Sequence, residues 1–120
     1  MTKLEEEAKK FMQSRNTSMI TADEYQEKAK ATAIYPKKDA LPYLSLGLVS
    51  EAGEVAGKVK KLIRDGTQSD VASEIGDVLW YCAMLASEVN VSLGKIMEKN
   101  LEKLNDRKQR GKLQGSGDTR

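Results

Sequence analysis

The sequence predicts an all-α fold, a small bundle of four to five helices, and three observations carry that expectation. Apolar residues recur every three or four positions through most of the chain. Capping signals divide these stretches: Thr21 with Glu24, Asp39, Asp65-Gly66 and Ser92. No segment shows the two-residue alternation of a half-buried strand.

Residues 3–15 can form a first amphipathic helix, with Leu4, Ala8, Phe11 and Met12 on one side. Its charge marks it as peripheral. Asn16 to Ile20 reads as a linker, so residues 1–19 form an extra N-terminal element. Thr21 and Glu24 then make a capping box that opens a helix through Tyr25 to about Ala33, before Pro36 interrupts. Asp39 can cap the third helix, with Pro42 tolerated in its first turn. That helix should run to Arg64 and close at Asp65-Gly66. Its apolar line is Leu44, Leu48, Val55 and Leu62, joined by Val49 and Val59. Gly47, Gly53 and Gly57 each cost about 1 kcal/mol of helix propensity relative to alanine, which points to close helix approach.

Thr67 or Ser69 is expected to start the fourth helix, whose core face is Val71, Ile75, Val78, Leu79, Cys82, Leu85, Ala86 and Val89. Asn90 interrupts it. Ser92 caps the fifth helix, where Leu93, Met97, Leu101 and Leu104 form a stripe ending near Arg110. Residues 20–110 thus form the main domain. Residues 111–120, with glycines at 111, 115 and 117, read as a flexible basic tail. Several helices carry apolar residues on more than one side, more than a 13.3 kDa monomer can bury, so oligomerisation is expected.

Composition narrows the chemistry. No run is apolar enough to cross a bilayer, and the opening MTKLEEEAKK is too polar for a signal peptide. The lone Cys82 cannot form an internal disulfide, and a cytoplasmic protein with a buried thiol is the plain reading. There is no histidine, which removes the commonest general base and transition-metal ligand. Two basic groups, Lys58-Lys60-Lys61-Arg64 and the segment from Lys99 to Arg120, suggest phosphate-attracting surfaces. Interspersed acids and the lack of a recognised motif argue against nucleic-acid binding.

The informative residues are four acids. Glu51 and Glu54, and then Glu74 and Asp77, stand three apart, so each pair leaves one side of its helix. Glu51 lies in line with Leu44, Leu48 and Val55, and Glu74 sits between Val71 and Val78. Acids at the edge of a core face are costly unless compensated. Two such helices packed antiparallel can bring all four carboxylates together, and their repulsion calls for a hard cation, magnesium or manganese. A histidine-free chain excludes the di-iron bundle pattern. Glycines beside the acids, at 53 and 76, leave room for a ligand or another helix. The fifth helix adds Asn100, Lys103, Asn105, Arg107 and Arg110, whose cations could offset a polyphosphate's charge.

These residues resemble the MazG-like branch of the all-alpha nucleoside triphosphate pyrophosphohydrolases. The resembling runs are LGLVSEAGEVAGKVKKLIRDG, SEIGDVLWYCAMLA and NLEKLNDRKQRGKLQGSGD, with EYQEKAKATAIYP similar to the opening helix and turn. The family pattern is EExxE followed by ExxD one helix later. Here Glu51, Glu54, Glu74 and Asp77 match it, with Ser50 where the first glutamate usually stands. The resemblance implies magnesium-dependent cleavage of a nucleoside triphosphate to the monophosphate and pyrophosphate, with the four acids as metal ligands and Glu51 as proton acceptor. By the same similarity, Lys103 and Arg107 would contact phosphate and Asn105 sugar or phosphate, in a homodimer or homotetramer. A dUTPase- or dCTPase-like specificity on this scaffold is one alternative; a non-catalytic helical adaptor is another. Tyr25, Gln26, Tyr35 and Trp80 are the candidates for contact with a base.

Overall fold

The computed structural model describes residues 2–13, 19–66 and 70–120. Among them are five α-helices and no strand: α1 (Lys3–Met12), α2 (Ala22–Ala29), α3 (Ala40–Asp65), α4 (Val71–Glu88) and α5 (Leu93–Gln109). Short 3-10 turns at Lys30–Thr32 and Lys37–Asp39 join α2 to α3. The expected linker at 16–20 falls partly, and the expected starts of α4 at Thr67 or Ser69 fall wholly, outside the described residues.

Helix boundaries follow local chemistry. Thr21 and Glu24 form the reciprocal capping box, and Thr2 with Glu5 forms a second one on α1. Gly66 ends α3 with φ 62°, and its N–H returns to the Leu62 carbonyl. Asp39 precedes α3 but makes no side-chain cap, because a 3-10 turn already leads into the helix. Asp70 caps α4 instead, accepting from the Ser73 N–H. Asn90 takes the left-handed conformation at φ 61° and reverses the chain between α4 and α5.

The long pair α3–α4 forms the spine, and α2 packs on α4 and α5. The core joins Ala29, Tyr35, Ala40, Leu44, Ala83, Met84 and Leu93, with Leu44 and Met84 completely buried. Long-range polar junctions hold α2 and the turn after it in place. Gln26, buried on α2, donates to Ser87 Oγ (3.0 Å) and the Val91 carbonyl (3.1 Å) and accepts from the Leu93 N–H (2.7 Å). Asp23 accepts from the Gly94 N–H at 2.8 Å, and Ser92 from the Lys95 N–H at 3.0 Å. Together these satisfy three first-turn amides of α5 that have no partner within the helix. Beyond α2, the Tyr35 hydroxyl donates to Glu88, which Lys37 also reaches, and Trp80 donates to the Thr32 hydroxyl.

The chain is open rather than spherical. Its accessible surface is 9012 Å², against about 6,500 Å² for a folded monomer of its mass. Its radius of gyration is 17.2 Å, where about 14 Å is usual for this length. α1 buries no residue and meets the far ends of α3 and α4 across a groove of about 670 Å³, lined in part by Leu4, Phe11, Lys58 and Val71. Val49 and Val59, expected in the core line of α3, are exposed, as are Ile75 and Leu79 of α4, Val89 just past its end, and Met97, Leu101 and Leu104 of α5. Cys82 is half-buried.

Gln26→Leu keeps the volume but strands the Leu93 N–H and the Val91 carbonyl. We expect a loss of about 2–4 kcal/mol, read as a lowered urea midpoint with an unchanged helical signal at zero denaturant.

Candidate metal centre

The seam between α3 and α4 brings the acids together. Glu51 is one turn beyond Gly47 on α3, and Glu74 and Asp77 lie on the facing side of α4. One carboxylate oxygen from each of Glu51, Glu74 and Asp77 falls within 4.8 Å of the others. Glu51 and Glu74 are half-buried and Asp77 is exposed. Glu54, the fourth acid of the expected set, is exposed and stands outside this trio. Its charge still reaches Glu51, whose carboxyl it helps to raise.

Electrostatics at the trio are unfavourable without a cation. Partial burial raises the Glu51 carboxyl above its usual range, and the charges of Asp77, Glu74 and Glu54 push it further the same way. Three hard oxygen donors crowded at one place fit magnesium or manganese and offer nothing to a soft metal. A divalent ion held by Glu51, Glu74 and Asp77 would offset the like-charge part of that shift.

Aromatic packing sets the width of the seam. Tyr81 follows Asp77 by one turn, and its ring packs against the α3 backbone at Gly47. A Cβ at residue 47 would sit 2.1 Å from Tyr81 Cε1, far inside contact distance. Desolvation raises the Tyr81 phenol, with Tyr43, Glu51 and Asp77 adding to the effect, which places its hydroxyl in the field of the acids. Trp80 meets Tyr81 edge to face at 5.0 Å between ring centres, and Tyr35 meets Trp80 at 6.4 Å. The helix-weakening glycines had suggested close approach in general. Only Gly47 of those in α3 shows it, since a Cβ at Gly53 or Gly57 would meet nothing within 4 Å, nor would one at Gly76. The glycine four residues before Glu51 is the sequence signal for this Tyr81 contact.

The residues singled out on α5 divide into two groups. Asn100 and Lys103 border a shallow depression with Val91, Lys95, Ile96 and Lys99. Arg107 is 5% exposed, and both it and Lys103 are bonded to Asp118 of the tail. Arg110 pairs with Asp106 and donates to the Arg120 carbonyl. Asn105 is exposed. α5 packs on α2 and α4 rather than broadly on α3. Among the candidates for contact with a base, Gln26, Tyr35 and Trp80 are engaged in the junctions described above. Tyr25 is half-buried, and its phenol is raised first by burial and then by the charge of Asp77, so it faces the acid side of the bundle.

The model of the MazG nucleotide pyrophosphohydrolase domain matches residues 41–111, a span that contains all four acids and the whole of α5. The gene 37 protein of Mycobacterium phage L5 is 46% identical over 111 residues, covering 82% of this chain and 97% of that protein. No solved structure matches the chain.

Gly47→Ala drives a methyl into the Tyr81 ring. It should cost about 1–3 kcal/mol and, by shifting α3 against α4, weaken magnesium binding in calorimetric titration. Adding Tyr81→Ala removes the clash, so the double variant should regain some of the lost affinity. Unchanged affinity in Gly47→Ala would contradict this coupling of packing to the acid trio.

Proposed function

Because the chain belongs to the MazG nucleotide pyrophosphohydrolase domain family, we propose that it is a magnesium-dependent hydrolase splitting a nucleoside triphosphate into the monophosphate and pyrophosphate. The observation that supports this reading best is the convergence of Glu51, Glu74 and Asp77 within 4.8 Å inside the matched segment. Bound there, magnesium would supply Lewis acidity toward the phosphate oxygens and lower the pKa of a water beside them.

The chain's own groups have assignable roles. Glu51, Glu74 and Asp77 hold the cation, and Glu54 at the rim completes or supports its shell. Glu51 takes the proton of the attacking water. The water oxygen bonds to the α-phosphorus as the bond to the α–β bridging oxygen breaks. The electron pair leaves on that bridging oxygen with pyrophosphate. Lys103 and Arg107 offset the charge of the departing group, and Asn100 and Asn105 lie along the same helix for contacts to phosphate or sugar.

We further propose that the working form is a homodimer or homotetramer. The surplus surface is apolar in places a monomer gains nothing from exposing: Leu46 is 73% accessible, Val49 71% and Ile63 78%. They lie on sides of α3 turned away from the acid trio. A second copy covering them would remove that apolar surface from water.

One rival has specific support. Ser50 replaces the usual first glutamate, and Glu54 stands apart from the trio. Both would suit a protein that binds nucleotide without turnover.

Pyrophosphate release from a panel of nucleoside triphosphates decides between the two. We expect release that requires magnesium and falls roughly 100-fold or more in Asp77→Asn. Magnesium binding with no release from any substrate would leave the non-catalytic reading. Sedimentation equilibrium should give at least twice the 13.3 kDa chain mass, whereas a monomer at micromolar concentration would refute the proposed assembly.

A further inference from the structure

The tail is a folded strap. Gly111, Gly115 and Gly117 adopt φ of 70°, 127° and 85°, conformations that side-chain-bearing residues rarely take, and they turn residues 111–120 back on α5. Arg120 closes the strap by donating to the carbonyls of Gly117 (2.8 Å), Leu113 (3.1 Å) and Lys112 (3.2 Å). Two α5 cations tether it through the main chain: Arg107 donates to the Asp118 carbonyl at 2.6 Å and Arg110 to the Arg120 carbonyl at 2.7 Å.

The Asp118 carboxylate has a different position. Its Oδ1 accepts from Lys103 Nζ at 2.8 Å and from Arg107 at 3.4 Å. Lys103 and Arg107 are one helical turn apart, so their charged ends converge on that single oxygen. The Asp118 carboxyl is held below its usual range, first by the hydrogen bond from Lys103 and then by the charges of Lys103 and Arg107. An anionic oxygen bonded at once to an ammonium and a guanidinium is what a phosphate oxygen would be at the same place.

We propose that Asp118 is a built-in competitor at this cation pair, a latch that a polyphosphate must displace before it can use Lys103 and Arg107. The proposal rests on the assignment of these two cations to phosphate contact made above. The strap is anchored by main-chain bonds that do not involve the carboxylate, so the latch can open without the tail leaving. The Asp118 side chain is 80% accessible, and ion pairs so exposed are readily exchanged. Lys103, with 37% of its side chain accessible, is the movable partner, while Arg107 at 6% stays fixed beneath the strap.

The test is calorimetric binding of inorganic tripolyphosphate, in magnesium buffer, to the wild type and to Asp118→Ala, Asp118→Asn, Lys103→Ala and the double Lys103→Ala/Asp118→Ala. Helical content and melting temperature establish that each is folded. Asp118→Ala and Asp118→Asn should each bind roughly two- to fivefold more tightly, and the gain should vanish when Lys103 is also removed. Unchanged or weaker binding in Asp118→Ala, an equal gain in the double variant, or no binding by any variant would overturn the latch. Turnover of a nucleoside triphosphate by the wild type is read separately. Hydrolysis without an Asp118 effect sinks the latch alone, and an Asp118 effect without hydrolysis sinks the enzyme assignment alone.

Discussion

Like charges do not gather at a helix–helix seam unaided. Glu51, Glu74 and Asp77 lie within 4.8 Å of one another because α3 and α4 are packed together along their length. The seam therefore carries an electrostatic cost that apolar packing must offset until a cation does so. Much of the surrounding structure serves that constraint. Gly47 lets the Tyr81 ring lie on the backbone of α3 one turn from Glu51, which fixes how near the helices approach. The buried Leu44 and Met84 pin the same pair of helices at the core. A rigid seam presents the three oxygens in one arrangement, and such preorganisation is what a magnesium site requires.

α2 contributes through hydrogen bonds more than through burial. Asp23 and Gln26 supply acceptors to the first amides of α5, so the start of the helix bearing Lys103 and Arg107 is set by side chains about 70 residues away in sequence. The Tyr35–Glu88–Lys37 group and the Trp80–Thr32 bond fix the turn between α2 and α3 onto the flank of α4. Acid trio and basic helix are thereby held on one scaffold whose elements meet at α4. The apolar faces of α3 and α5 that remain exposed are the surfaces a second copy would cover.

Much of this could be read from the residues because the signals are local. Thr21 with Glu24, Gly66 and Ser92 mark helix ends by bonds within three or four residues, and the structure places them as expected. The convergence of Glu51 with Glu74 and Asp77 follows from their register in two apolar stripes. Glu54 shares with Glu51 the spacing of the Glu74–Asp77 pair but stands outside the trio, so spacing alone does not decide which carboxylates converge. Gln26 illustrates a second limit, since its partners Ser87, Val91 and Leu93 are distant in sequence and no short pattern announces them. Glycines at 111, 115 and 117 suggested a flexible tail, but the same residues allow the left-handed turns on which the strap is built.

The proposed chemistry requires that the acid trio hold a cation. The most direct measurement is anomalous diffraction from crystals of the protein soaked in manganese. We expect one strong peak in the α3–α4 seam, about 2.0–2.3 Å from oxygens of Glu51, Glu74 and Asp77, and its loss in Asp77→Asn. A seam without a peak at saturating manganese, or an ion bound elsewhere while the three carboxylates stay apart from it, would contradict the proposed chemistry.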